Sequence, residues 1–203
     1  MSRPAEDASR AARLFFALWP DEACRAQLGE AAATALSVGG SGRAVPAQDW
    51  HVTLCFLGRV PASVAAELAA AAGRVRAAPF TLHFDRLRYW ADSRVTVAIA
   101  HCPPEAARLA TAVRLLSRQL GLLAGDTELQ PHITLVRGQD APPPGPERGR
   151  ERALDITLAA RALVLAESRE GVVAPAARYV VRAHWPLGDG GPAGAPVARD
   201  FGT

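Results

Sequence analysis

A four-residue pattern of His, an aliphatic residue, Thr and Leu occurs twice in the chain. The first copy, HVTL, begins at His51, and the second, HITL, begins at His132, 81 residues later (132 − 51 = 81). The chain has only five histidines, so a repeated pattern around two of them favours a functional pair. Near neutral pH, a neutral imidazole can accept a proton and a protonated one can donate it. The two copies therefore indicate acid–base chemistry shared between two imidazoles.

Both copies lie on predicted strands, where alternate residues share a face. His51 and Thr53 then point to one face of a sheet, and His132 and Thr134 do the same in the second copy. The aliphatic residues between them point into the core. Each copy thus offers one imidazole and one hydroxyl to an open sheet face.

Other elements are needed to hold these two strands in place. Helices are predicted to begin at Pro20, Pro61 and Pro103, because proline is tolerated in the first turn and each is followed by apolar residues at helical spacing. The predicted strands cover 13–19, 49–57, 80–90, 94–101, 131–137, 154–166 and 178–185, with 80–90 and 94–101 forming a hairpin. The stretch 138–152 is rich in Pro and Gly and predicts a loop. This order predicts an α+β fold with antiparallel pairing and sheets covered by helices on one side.

Composition excludes several function classes. The chain contains no lysine and no asparagine, so all 23 of its basic residues are arginine. It therefore has no phosphate-binding loop lysine, no Schiff-base lysine and no N-glycosylation acceptor. The net charge of +3 is only mildly basic. Three scattered cysteines suggest a reducing cytoplasm, and no apolar run is long enough to cross a membrane.

Three segments carry a resemblance to a known family: RLFFALWPDEA at 13–23, HVTLCFLG at 51–58 and PHITLVR at 131–137. They resemble the two-histidine phosphoesterases, and among these the RNA 2′,3′-cyclic phosphodiesterases, also called 2′-5′ RNA ligases. The resemblance implies one bilobal domain over 12–187, in which each of two pseudo-symmetric lobes brings one HxTL strand to a central groove. Residues 1–11 are expected to form a flexible leader and 188–203 a disordered tail.

The resemblance also implies a reaction, hydrolysis of a 2′,3′-cyclic phosphate to a 2′-phosphomonoester, without metal or cofactor. His51 would donate a proton to the departing oxygen, and His132 would accept one from the attacking water. Thr53 and Thr134 would donate hydrogen bonds to phosphoryl oxygens. RNA ends or nucleotides are the expected substrates of a cytoplasmic monomer with no obligate protein partner.

Four further residues are candidates for substrate binding. Phe15 and Phe56 could stack a nucleobase. Alternation places Cys55, where the family often has a basic residue, on the face of His51. Arg137 matches an arginine that commonly ends the second motif, but alternation places it opposite His132 unless the strand bulges.

Four alternatives stay open. A relative acting on another cyclic phosphate, such as an ADP-ribose derivative, would use the same residues, and 2′-5′ RNA ligation is the reverse reaction. A non-catalytic RNA-binding module would not need two imidazoles. A metal site built on His51 and His132 would lose activity on chelation.

Overall fold

The computed structural model of the protein describes residues 11–39, 42–125, 127–140, 151–172 and 176–188. The helices are α1 (Glu22–Gly39), α2 (Ala62–Ala72) and α3 (Pro104–Gln119), with one 3-10 turn at Ala47–Asp49. The strands are β1 (Ala12–Leu18), β2 (Arg43–Ala44), β3 (Val52–Val60), β4 (Phe80–Trp90), β5 (Val95–Ala100), β6 (His132–Arg137), β7 (Glu151–Ala160), β8 (Ala162–Ser168) and β9 (Tyr179–Pro186).

The strands form two antiparallel sheets. One has the order β3-β1-β8-β9, and the other has the order β2-β6-β5-β4-β7. Helix α1 contacts β6 and β7, whereas α3 contacts β3 of the other sheet. The predicted α+β fold with antiparallel sheets and a β4–β5 hairpin is therefore confirmed.

Strand β1 shows how each sheet separates its two faces. Leu14, Phe16 and Leu18 belong to the large core cluster that both sheets share. Phe15 and Ala17 point the other way, into a smaller apolar cluster with residues of β8. Because both faces of β1 are covered, its sequence is almost continuously apolar rather than alternating.

One predicted strand was wrong. The stretch predicted as a single strand over 154–166 is two strands, β7 and β8, which pair in different sheets. Only Arg161 lies between them, and no Gly or Pro there signals a break. The chain therefore passes from one sheet to the other within one residue.

The strand that carries the first histidine motif begins later than predicted. Strand β3 starts at Val52, and Asp49 lies in the preceding 3-10 turn. The two-residue strand β2, which pairs with β6, was not predicted. Among the described residues, no helix is both long and apolar enough to cross a membrane.

The predicted leader over 1–11 and tail over 188–203 lie, except for their innermost residue, outside the described residues. Positions 141–150 of the loop predicted over 138–152 also lie outside them.

Candidate active site

A groove of about 370 Å³ lies between the two sheets and contains both histidine motifs. This volume is in the range of small-ligand sites. Both sheets contribute to its lining: Arg13, Val45, Asp49, His51, Thr53, Phe56, Trp90, Ser93, Val95, His132, Thr134, Arg137, Ser168, Arg178 and Tyr179.

The two histidines are held in the same way. His51 Nδ1 lies 2.8 Å from the carbonyl oxygen of Asp49, and His132 Nδ1 lies 2.8 Å from that of Gln130. A carbonyl can only accept, so each Nδ1 carries a proton and donates it. Each Nε2 is left free to exchange a proton with a ligand. The structure thus brings together the two imidazoles and the two threonine hydroxyls that the repeat predicted.

A β-bulge lies at the leucine that ends each motif and changes which side chains face the groove. In β3, Phe16 pairs with Cys55 and Ala17 with Thr53, so Leu54 has no partner on β1. In β6, Thr96 pairs with Val136 and Val97 with Thr134, so Leu135 is the extra residue. Two successive residues then point into the core, and the next side chain returns to the groove.

The bulges decide the position of two predicted binding residues. The expectation that Cys55 lines the groove is wrong: its side chain is buried in the core beside Leu54. Phe56, the next residue, is half exposed and lines the groove. Arg137 reaches the groove because of the bulge at Leu135, the condition that the sequence analysis set for it.

Aromatic rings surround His51. Trp19 stacks on it with ring centroids 5.2 Å apart, and Tyr179 contacts it edge-on at 4.6 Å. Phe15 contacts it at 4.9 Å but is fully buried beneath Phe56 and Tyr179. The expectation that Phe15 stacks a base is therefore wrong, because other rings cover it; it supports His51 instead.

His132 lies in a more polar half of the groove. Its one ring contact is Trp90, at 4.7 Å, among the residues the structure describes. Ser93 and Arg137 line the same half. No carboxylate in the described part of the chain forms an ion pair with Arg137, so its guanidinium is free to bind an anion.

Asp49 connects His51 to the far end of the chain. Its carboxylate Oδ1 accepts hydrogen bonds from the backbone N–H groups of Arg178, at 2.9 Å, and Tyr179, at 3.3 Å. The side chain is 5 % exposed, and burial raises its pKa, although the two N–H donors oppose this. One residue therefore holds His51 through its carbonyl and Tyr179 through its side chain.

Burial lowers the pKa of both histidines. It lowers that of His51 to about 4; the bond to Asp49 opposes the shift, and the positive charges of His132 and Arg137 add to it. Burial also lowers the pKa of His132, against the bond to Gln130 and with a further contribution from Arg137. Both rings are therefore neutral at neutral pH when the groove holds no anion.

Two arginines that line the groove, and one ring that supports His51, were not predicted from the sequence. Arg13 and Arg178 bring positive charge to the groove, and Trp19 supports His51. Arg178 lies 127 residues after His51 and belongs to no motif. Arg13 begins the 13–23 segment, but nothing in that segment indicates that it faces the groove, so only the folded arrangement identifies both arginines. Among the described residues, no group of three metal-ligating side chains is positioned to hold a metal ion.

Comparison with known proteins agrees with this arrangement. A family model described as LigT like Phosphoesterase matches residues 18–100. An RNA 2′,3′-cyclic phosphodiesterase from Escherichia coli (strain K12) is 37% identical over 110 residues. The aligned segment covers 52% of this chain and 62% of the length of that relative.

Solved structures extend the similarity to both sheets. A structure titled as a phosphoesterase superposes with a TM-score of 0.72 at 31% identity, covering 88% of this chain and 99% of that one. E. coli LigT complexed with 3′-AMP gives a TM-score of 0.71 at 30% identity, again with 88% and 99% coverage. With its paired HxTL strands and this overall similarity, the chain belongs to the LigT-like phosphoesterase family.

Proposed function

We propose that the protein is a hydrolase that opens 2′,3′-cyclic phosphates at RNA ends or on nucleotides, giving 2′-phosphomonoesters. The observation that carries this proposal is the pair of histidines in one groove, each with Nδ1 bound to a backbone carbonyl and Nε2 free. Such a pair supplies one acid and one base, which is what the opening of a cyclic phosphodiester requires.

The reaction needs two proton transfers. Nε2 of neutral His132 takes a proton from water as the water oxygen forms a bond to phosphorus. The bond between phosphorus and the ribose O3′ breaks, and O3′ takes a proton from Nε2 of protonated His51. His51 ends neutral and His132 ends protonated, so an exchange with solvent restores the starting state. The assignment of acid to His51 follows the family resemblance, because the two rings are held alike.

The substrate itself helps to protonate the acid. Both histidines are neutral in the free groove at neutral pH, because burial lowers the pKa of each. A bound cyclic phosphate carries a negative charge, which raises the pKa of imidazoles beside it. The general acid is therefore protonated mainly when substrate is bound.

Other groove residues divide the binding. Thr53 and Thr134 donate hydroxyl hydrogen bonds to the non-bridging oxygens. Arg137 pairs with the phosphoryl charge. Phe56 is half exposed at the rim of the aromatic half of the groove, which is the half that contains His51. Its ring offers a face for the nucleobase.

Similar proteins support the substrate class. The E. coli relative is named an RNA 2′,3′-cyclic phosphodiesterase. E. coli LigT has been crystallised with 3′-AMP, with NADP+ and with ATP, all of which are nucleotides.

The test is product analysis with 2′,3′-cyclic mononucleotides and a short RNA ending in a 2′,3′-cyclic phosphate, with a chelator present throughout. We expect a 2′-phosphate product that H51A and H132A do not form. H83A is the matched control, because His83 is an exposed histidine paired with Asp155 away from the groove, and it should behave like the parent.

Each rival predicts a different result in this experiment. A metal site on the two histidines predicts loss of parent activity with the chelator. A binding module predicts no turnover and unchanged RNA affinity in H51A and H132A. If the parent turns over only other cyclic phosphates, such as ADP-ribose derivatives, the two-histidine acid–base mechanism stands and the RNA substrate is rejected.

We also propose where the protein is located in the cell and that it is a monomer. Its described cysteines are unpaired, which suits the reducing cytoplasm. We expect cell fractionation to place it there, and its mass in solution to be that of a monomer. Residues 12–187 are proposed to act as one catalytic unit.

A further inference from the structure

A second cavity, of about 320 Å³, adjoins the catalytic groove. Arg13 and Ser168 line both spaces, so the two lie side by side. Its other charged lining residues are Arg59, Arg169, Glu170 and Glu167, whose carboxylate forms an ion pair with Arg182. Three arginines thus line a space beside the groove, although the reaction described above uses none of them.

Glu170 shows that an anion is stable in this cavity. Its carboxylate accepts a hydrogen bond from Arg13 at 2.9 Å. The hydrogen bond from Arg13 and then its positive charge hold the pKa of Glu170 below its ordinary value, and Arg59 and Arg178 add smaller contributions. The positive charges of Arg13, Arg59 and Arg178 therefore all act on the carboxylate of Glu170.

This ion pair can be exchanged for a ligand. The side chains of Arg13 and Glu170 are 45% and 64% exposed, and exposed pairs contribute little to stability. Glu170 lies on a turn after β8, followed by Gly171 with a φ of 71°. A phosphodiester offers the same charge with more acceptor oxygens, and arginine forks bind it well.

The substrate's covalent structure places a second phosphate outside the groove. A 2′,3′-cyclic phosphate occupies both hydroxyls of the terminal ribose, so the RNA chain can continue only through O5′. The next phosphodiester therefore leaves the groove on the 5′ side of the terminal nucleoside. The cavity around Arg59 adjoins the groove and is lined by arginines, so it can receive this phosphodiester.

We infer that the cavity formed by Arg13, Arg59, Arg169 and Glu170 is a second phosphate subsite, which binds the phosphodiester on the 5′ side of the terminal nucleotide of an RNA substrate. Glu170 occupies the subsite when no RNA is bound and competes with the incoming phosphate. The inference rests on the proposed function, because it assigns the substrate's direction in the same groove.

The test compares a 2′,3′-cyclic mononucleotide, which has no 5′ phosphate, with a pentanucleotide ending in the same cyclic nucleotide. R59Q keeps a polar side chain, although a shorter one, and removes its charge. It should lower kcat/KM for the pentanucleotide about 3- to 10-fold and leave the mononucleotide unchanged. The dependence of log(kcat/KM) for RNA on log salt should become shallower by about 0.7.

E170Q gives an independent result of opposite sign. Removing the competing charge should raise kcat/KM for the pentanucleotide about threefold at low salt, with no change for the mononucleotide. R108Q and E105Q are matched controls, because Arg108 and Glu105 form a similar exposed pair on α3. Both controls should match the parent on both substrates.

The outcomes separate the subsite from the proposed function. Turnover of the mononucleotide by the parent, with R59Q affecting both substrates equally or neither, overturns the subsite and leaves the function intact. A loss in E170Q on RNA also overturns it. No turnover of either substrate by the parent overturns the proposed function, and the subsite with it.

Discussion

The two halves of the groove have the same backbone and different chemistry. Each has an HxTL motif whose histidine donates a hydrogen bond from Nδ1 to the carbonyl two residues earlier. Each also has a bulge at the leucine that ends the motif. The bulge presents Phe56 in one half and Arg137 in the other. Three aromatic rings contact His51, whereas His132 contacts one ring and shares its half with Arg137, which forms no ion pair with any described residue.

In the proposed function, the repeat supplies the acid and the base, and the side chain that returns to the groove after each bulge sets the direction of the substrate. An aromatic half suits a nucleoside and a cationic half suits a phosphoryl group. In the proposed reaction, a symmetric pair of histidines would act on an asymmetric substrate, because two equivalent backbone positions carry side chains of different character.

The largest expected effects come from removing one histidine at a time. H51A and H132A should each lower kcat about 10²- to 10⁴-fold on a cyclic nucleotide. A p-nitrophenyl phosphodiester distinguishes the halves, because its leaving group needs no proton. H51A should recover much of its activity on this substrate, and H132A should not. Recovery by H132A instead would reverse the acid and base assignments.

Loss of the cation in the second half should rank next. R137A removes a charged hydrogen-bond donor from the phosphoryl group, so it should reduce kcat/KM about 10- to 100-fold. The loss should be the same for all four cyclic nucleotides, since phosphate is common to them. Steady-state kinetics on the set check this, with R88A, a surface arginine paired with Glu151, as the control. A base-dependent loss would contradict the phosphoryl role.

Asp49 offers a way to disturb only the aromatic half. D49A removes the acceptor for Arg178 and Tyr179, so the ring against His51 shifts and kcat should fall about 10-fold. D49N keeps Oδ1 as an acceptor and should retain most activity. Nitrogen NMR of the imidazoles should show a changed His51 signal in D49A and an unchanged His132 signal. Equal changes at both histidines would indicate a general loss of structure.

Phe56 should have a smaller effect that depends on the base. F56A removes a half-exposed stacking face, so KM should rise about fivefold, more for purines than for pyrimidines. F56L retains an apolar side chain without a ring, so it separates stacking on the nucleobase from simple apolar packing at the groove. If F56L behaves like the parent with every base, Phe56 does not stack the substrate.

The halves should also differ modestly in their effect on stability at acidic pH. Between pH 6.5 and about 4 an unfolded His51 is protonated while the folded one stays neutral. The unfolded state then binds more protons, so the free energy of unfolding falls as pH falls through this window. Urea titrations at pH 7.5 and 4.5 should show a smaller decline in H51Q than in the parent. An unchanged decline would place the titrating group elsewhere.

The sequence predicted most of the elements and both catalytic candidates, because periodicity and a repeated motif are local signals. It could not locate the bulges at Leu54 and Leu135, which have no residue signature, and so it misplaced Cys55. It read β7 and β8 as one strand because Arg161 carries no turn signal. The bonds from Asp49 to Arg178 and Tyr179 join positions about 130 residues apart, which only the folded chain reveals.

The pairing of β1 with β8 has a consequence for synthesis of the chain. Leu14 pairs with Glu167, 153 residues later (167 − 14 = 153). At a translation rate of about 5–20 residues per second, that edge of β1 waits roughly 8–30 s for its partner. Meanwhile an apolar strand with one unpaired edge is open to association with other nascent chains. We therefore expect the four-stranded sheet to form last on the ribosome, and the protein's yield to depend on chaperones that cover its N-terminal strand.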